Sequence, residues 1–216
     1  MEIINIGKNE DYKEYVGLIS DRIKQGKVVV LPTDTIYGLS CLATDKKAID
    51  KIYEIKKRDK NNPLLVLVGS YCMLKDYFHV SARQEEYLRA IWPSKTSRIG
   101  NDLVKRPTSA VLKTRGGFLD KINSGSGFAA VRLPNDKFLA KLVMKIGTPI
   151  VSTSLNISGE ANIENLNEVS KYFRHRLPDA VVDAEECGGV QRKFKKQKPS
   201  KLIDITDIDN IKILRR

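Results

Sequence analysis

Cysteine, histidine and long apolar runs are scarce in this chain. Three cysteines, Cys41, Cys72 and Cys187, are scattered through 216 residues, and no CxxC occurs. An odd, dispersed set supports neither a disulfide framework nor a zinc ribbon. Only two histidines are present, His79 and His175. That excludes a histidine-rich metal centre, and HExxH is absent. No G-x-x-x-x-G-K-[ST] sequence occurs, so the Walker A mode of phosphate binding is excluded. No GxSxG elbow exists and neither histidine lies near a recognisable nucleophile, so no hydrolase triad is expected. The longest apolar runs, such as residues 64–68, hold five residues. A membrane-spanning helix needs roughly 20. The N-terminus, MEIINIGKNEDYKEY, has no apolar core of a signal peptide, so a cytoplasmic location without membrane contact is expected.

What is present is the composition of a folded domain. Hydrophobic residues make up 41% and charged residues 30%, too apolar for disorder. No repeat, low-complexity tract or Gly/Ser linker interrupts the chain, so a single domain over residues 1–216 is expected. Lys and Arg number 38 against 26 Asp and Glu, a net charge of +12. Such a surplus favours an anionic partner, although a solvated lysine-rich surface has the same composition.

Periodicity alternates between helix and strand. Tyr12, Tyr15, Val16, Ile19 and Ile23 recur at helical spacing and Gly26 stops the run. Residues 27–31 read as a buried strand, and 32–43 (PTDTIYGLSCLA) as a loop. Asp45 can cap a helix with the stripe Ala48, Ile49, Ile52 and Tyr53. Residues 64–68 form another strand, Tyr87 to Trp92 one helix face, and 110–112 and 129–133 two strands. Phe138 to Ile146 is a helix ended by Gly147. Strands are expected at 149–152, 180–182, 202–205 and 211–214. The class is therefore α/β, with a twisted mixed sheet.

Three stretches carry candidate chemistry. Residues 33–39 offer two hydroxyls, a carboxylate and a phenol beside a glycine, or an ordinary turn. Ile55-Lys56-Lys57-Arg58 ends a helix with cations, suited to phosphate or simply to the helix dipole. Residues 152–159 (STSLNISG) place four hydroxyls and an amide after a strand, donors that bind anionic oxygens. The basic stretches 94–105 and 191–201 could hold RNA or be solvated surface. Hydroxyls and cations without a nucleophile fit binding and positioning of an anionic substrate, as phosphoryl or nucleotidyl transfer requires.

Read in order, PTDTIYGL, IKKR with NPLLVLV, AAVRLP and STSLNISGE resemble the YrdC-like L-threonylcarbamoyladenylate synthases, in their short (TsaC-type) form. The resemblance implies a YrdC/RibB-like fold with an open basic cavity. It implies a nucleotidyltransferase that joins L-threonine, bicarbonate or CO2, and ATP into threonylcarbamoyl-AMP and pyrophosphate, for threonylcarbamoyladenosine modification of tRNA. Mg2+ would arrive with the nucleotide, no protein metal site is implied, and threonylcarbamoyl-transferase proteins would act downstream.

By the same resemblance, Lys56 and Arg58 are the catalytic cations and bind ATP together with Tyr37, Ser154, Asn156 and Arg215. Thr33, Arg132, Ser152 and Ser200 are the threonine-binding set. Because helix-end charges usually contribute little stability, replacing Lys56 or Arg58 is expected to leave the fold intact. The chain departs from the family pattern at Leu67, where many relatives have histidine, and at Lys201, where threonine is usual. It also departs at 94–105, which separates Trp92-Pro93 from the next element and puts Ser109 in the place of a family threonine. The alternatives are a YrdC-like RNA-binding protein, a divergent paralogue with weak or no synthase activity, and a hydrogenase-maturation relative. The last is disfavoured because such relatives are usually long, with zinc-finger cysteines.

Overall fold

The computed structural model describes residues 1–7, 12–92, 107–117, 119–163, 165–184 and 199–216. The stretch 94–105, Cys187 and the basic residues 191–198 lie outside the described residues.

Among the described residues, eleven strands form one mixed sheet. In chain order they are β1 (Glu2–Asn5), β2 (Val29–Leu31), β3 (Gly38–Leu42), β4 (Leu65–Leu67), β5 (Phe78–His79), β6 (Thr108–Thr114), β7 (Phe128–Arg132), β8 (Ile150–Ser154), β9 (Ala180–Asp183), β10 (Lys201–Asp204) and β11 (Lys212–Arg215). Across the sheet they run β1-β9-β2-β3-β8-β4-β7-β6-β10-β11, with β5 paired to the far end of β6. Pairs β1–β9, β9–β2, β4–β7 and β6–β10 are parallel and the others antiparallel.

The helices are α1 (Tyr12–Lys24), α2 (Lys46–Lys56), α3 (Tyr71–Tyr77), α4 (Ala82–Ile91), α5 (Asp120–Asn123), α6 (Lys137–Ile146) and α7 (Val169–Phe173). Three of these helices have a boundary legible in the sequence. Asp45 caps α2 by accepting from the Lys47 and Ala48 N–H groups. Ser81 and Gln84 form a reciprocal capping box on α4. Gly147 ends α6 at φ 84°, a left-handed residue that glycine adopts without steric penalty. The α6 stripe Phe138, Leu139, Leu142, Val143 and Ile146 is buried, and α1 packs against it.

The expected α/β class with a mixed sheet is what the chain forms. One assignment needs correction. Residues 38–42, read above as loop, are a central strand flanked by β2 and β8. Gly38 and Ser40 disguised it, because small residues carry no strand propensity. They alternate with Leu39 and Cys41, which are fully buried. Likewise β8 continues to Ser154, so the first hydroxyls of the polar stretch are strand residues.

The same alternation shapes the two faces of the sheet. Leu39, Cys41, Val66, Leu112, Val131 and Val151 are fully buried in the core. Small residues recur on the opposite face, where Gly38 pairs with Ser154, Ser152 stands opposite Leu65 and Ala130 opposite Val111. Side chains this short leave a hollow on that face.

Candidate active site

The hollow is a cleft of about 690 Å³, within the size range of small-molecule sites. Its wall includes Thr33, Tyr37, Arg58, Arg132, Ser152, Ser154, Asn156, Ser200 and Arg215. Nine of the ten expected site residues therefore share one cavity. Two further clefts, each of about 920 Å³, contain none of the ten.

The tenth residue, Lys56, lies beneath the wall. It is 1% exposed, which corrects the expectation of a surface helix-end charge. The next residue, Lys57, is left-handed at φ 47°, and the N–H of Arg58 returns to the Tyr53 carbonyl. That turn separates Lys56, which is buried, from Arg58, which lines the cleft. Lys56 Nζ donates to Ser154 O at 2.6 Å, Asn156 O at 2.8 Å and Asn156 Oδ1 at 2.8 Å. An ammonium has three protons, so all are engaged. Burial, with the Arg58 charge adding to it, pushes the ammonium down to about 7.

The Ser154–Asn156 turn is saturated in the same way. Ser154 Oγ donates to Asn156 Oδ1 at 2.6 Å, and Asn156 Nδ2 donates to Glu160 O at 2.6 Å. From the outer side, Tyr172 Oη accepts from the Ile157 N–H at 3.1 Å and donates to Glu160 Oε2 at 2.8 Å. Tyr172 was not among the expected residues. It reaches the turn from α7, and nothing in local sequence spacing signals such a contact.

Arg58 is anchored through backbone carbonyls. Nε donates to Asn62 O at 3.2 Å and Nη2 to Pro63 O at 2.9 Å. Arg215 donates through Nε to Ser200 O at 3.0 Å and through Nη2 to Ser200 Oγ at 3.2 Å. Ser200 Oγ also meets Ser109 Oγ at 2.8 Å, so Ser109 supports the wall from β6. Arg132 is 3% exposed, and its Nη2 stands 2.8 Å from Asp34 Oδ1.

The 32–37 loop is held by its own hydroxyls. Thr33 Oγ1 donates to Ile36 O at 2.6 Å and accepts from the Thr35 N–H at 3.1 Å. Its proton is thus engaged in a local turn and the Thr35 hydroxyl also meets its oxygen at 3.0 Å, which leaves its methyl group for contact. Gly38 permits a close crossing here. A Cβ at that position would stand 2.9 Å from Ser152 Oγ and 3.2 Å from Thr153 O. Leu67 is fully buried in β4 and is not part of the cleft wall.

A cleft with three arginines, a saturated Lys–Ser–Asn turn and a hydroxyl-rich floor can now be set beside known proteins. The Sua5/YciO/YrdC family model, described as telomere recombination, matches residues 21–216. The chain belongs to this family. A Methanocaldococcus jannaschii protein is 28% identical over 198 residues, covering 92% of this chain and 84% of that one. The threonylcarbamoyl-AMP synthase of Pyrococcus abyssi is 28% identical over 207 residues, 95% of this chain. The chain spans only 54% of that relative's length. The crystal structure of P. abyssi Sua5 complexed with L-threonine superposes with a TM-score of 0.77 at 27% identity, over 96% of this chain and 55% of that one. Escherichia coli YciO shares the fold, with a TM-score of 0.78 at 20% identity over 100% of this chain and 96% of that one. Among the described residues, no helix is long and apolar enough to cross a membrane.

Proposed function

We propose that the chain is a threonylcarbamoyl-AMP synthase that converts L-threonine, bicarbonate or CO2, and ATP into threonylcarbamoyl-AMP and pyrophosphate. The observation that carries this reading is the convergence of Arg58, Arg132, Arg215 and the Ser154–Asn156 turn on one cleft. Three guanidinium groups suit a substrate pair rich in anionic oxygen, a triphosphate and an amino-acid carboxylate. The family membership and the P. abyssi relatives support the same assignment.

The chemistry asks little of the protein beyond position. The threonine amine takes up CO2 to form a carbamate. A carbamate oxygen then attacks the α-phosphorus and pyrophosphate departs. Aligning the reactants converts the encounter into an effectively unimolecular step, and cations on the phosphates stabilise the departing charge. In this reading Arg58, Arg215, Tyr37 and the 154–156 turn bind the nucleotide. Arg132, Ser152, Ser200 and Thr33 bind threonine, Thr33 through its methyl group. Lys56 acts through the turn it holds.

Among the described residues, the charged groups of the wall are three arginines and one carboxylate, Glu160. Among the described residues, no trio of His, Cys, Asp or Glu could hold a metal ion. This donor set suits Mg2+ carried on the phosphates of ATP, and no step is assigned to a protein-bound metal. A threonylcarbamoyl transferase would consume the product to modify tRNA, in the cytoplasm. The decisive assay supplies ATP, bicarbonate and labelled L-threonine. Pyrophosphate and threonylcarbamoyl-AMP should form only with all three present. Equal turnover with 2-aminobutyrate would refute the threonine assignment, because a pocket that hydrogen-bonds a hydroxyl rejects analogues lacking it.

A further inference from the structure

Asp34 has no substrate role in the reading above, yet its placement is demanding. Its side chain is 4% exposed and faces Arg132, itself 3% exposed. A buried guanidinium without a counter-charge is strongly unfavourable. Asp34 Oδ1 lies 2.8 Å from Arg132 Nη2, while Oδ2 accepts from the Asn135 N–H at 3.0 Å. Asn135 sits in the turn that follows Arg132 and leads into α6. One carboxylate therefore ties the 32–37 loop to the turn next to Arg132 and faces the guanidinium as well.

The other charge acting on Arg132 is Arg215, and it is repulsive. Among the described residues, Arg132 Nε has no acceptor and Asp34 Oδ1 makes no aligned hydrogen bond. The pair is a close electrostatic contact, not the two-pronged alignment that carboxylates and guanidinium groups favour. Arg132 thus lines the cleft, held and neutralised, with donor capacity left for a second carboxylate.

We propose that Asp34 is a positioning residue that fixes Arg132 in the cleft wall so that its remaining N–H donors receive the α-carboxylate of the amino-acid substrate. This rests on the threonine reading above. Asp34 itself does not touch substrate. An asparagine could accept from Asn135 but could not neutralise Arg132.

The test compares wild type, Asp34→Asn, Asp34→Glu, Arg132→Gln and the Asp34→Asn/Arg132→Gln double variant. Threonine affinity is measured by calorimetry, and KM for L-threonine and for ATP by pyrophosphate release. Asp34→Asn should weaken threonine binding about tenfold or more, as expected for a disturbed charge-assisted contact, with the ATP KM within about twofold of wild type. Asp34→Glu, whose extra methylene displaces the carboxylate, should fall between wild type and Asp34→Asn. The double variant should bind threonine no more weakly than Arg132→Gln alone, because Asp34 acts through Arg132.

A purely structural role would lower kcat with the amount of active protein and leave the threonine KM unchanged, and that result overturns the proposal. So do additive losses in the double variant. If Asp34→Asn does not fold, wild-type threonine affinity in Asp34→Glu overturns it. A wild-type protein that releases pyrophosphate without any dependence on L-threonine refutes the functional reading, and this proposal falls with it. Threonine-dependent wild-type turnover with unchanged affinity in Asp34→Asn refutes the positioning role alone.

Discussion

Lys56 and Arg132 are both buried cations, but the protein treats them oppositely. Around Lys56 three oxygens of Ser154 and Asn156 receive its three protons. Among the described residues, one carboxylate stands at ion-pair distance from Arg132, and its Nε has no acceptor. The first region is chemically complete without ligand and the second is not. A saturated cation organises its surroundings, whereas an under-satisfied one in a cleft wall is suited to receive something. Lys56, from IKKR, thus builds the Ser154–Asn156 turn, whereas Arg132, from AAVRLP, keeps donor capacity in the cleft wall, which suits the proposed role of receiving an anion.

The sharpest way to break this contrast is to remove the builder. Lys56→Met would take a donor from three oxygens, although Ser154 O still accepts from the Asn156 N–H and Asn156 Oδ1 from Ser154 Oγ. An unsatisfied buried group costs about 1–3 kcal/mol, so a loss of about 2–3 kcal/mol is expected in urea unfolding, most of it at Asn156 O. ATP-dependent turnover should fall with it as the 154–156 turn loosens. A stability loss no larger than that of Arg58→Ala would show that Lys56 is not the builder.

Arg58→Ala should behave in the opposite sense. Its guanidinium is held by two backbone carbonyls at the cleft margin. Stability should change by about 1 kcal/mol or less, while ATP affinity drops by about 1.5–3 kcal/mol, the value of one charge-assisted hydrogen bond. Calorimetry with ATP separates the two effects. Unchanged ATP binding would mean that Arg58 only finishes its helix.

Burial of Lys56 also predicts a pH dependence. Its ordinary value of 10.5 falls to about 7 in the folded protein. Between these values the unfolded chain holds more protons than the folded one, so folding becomes more favourable as pH rises. The contribution is complete above about 10.5 and is lost as pH falls through about 7. Wild-type stability measured relative to Lys56→Met should therefore increase from pH 7 to pH 10. A flat difference would mean that the three surrounding oxygens keep the ammonium at its ordinary value.

Much of this architecture was legible because its signals are local. Asp45, Gly147 and the stripe from Phe138 to Ile146 mark helix boundaries and faces through contacts within a few residues. The order of the short motifs similarly placed Arg58, Ser154 and Asn156 at one cleft. What escaped depends on distant partners. β3 was hidden because Gly38 and Ser40 owe their strand conformation to β2 and β8 on either side. Burial of Lys56 depends on residues about a hundred positions away, so its motif could not distinguish a phosphate ligand from an internal strut. Asp34 was visible as a carboxylate, but its pairing with Arg132 spans the sheet. Tyr172 had no signal because its role arises only when α7 folds back over the 154–160 segment.

The smallest expected effect lies at Ser200, where the contrast between complete and incomplete regions can be graded. Ser200 is 2% exposed and its hydroxyl lies between Ser109 Oγ and Arg215 Nη2. Arg215 also donates through Nε to the Ser200 carbonyl, a backbone contact that survives any side-chain change. Ser200→Ala therefore removes one anchor on Arg215 and leaves the buried Ser109 hydroxyl without this partner. A loss of about 1 kcal/mol in stability is expected. Turnover should drop only a few-fold, because the guanidinium keeps its main-chain anchor and its place in the wall. Ser109→Ala added to Ser200→Ala should cost little more, since removing both hydroxyls leaves neither unsatisfied. Unfolding curves of the two single variants and the double variant give this coupling directly. If Ser200→Ala abolished turnover while the fold persisted, the Ser200 hydroxyl would belong with the groups that meet substrate, and the incomplete region of the cleft would extend from Arg132 to β10.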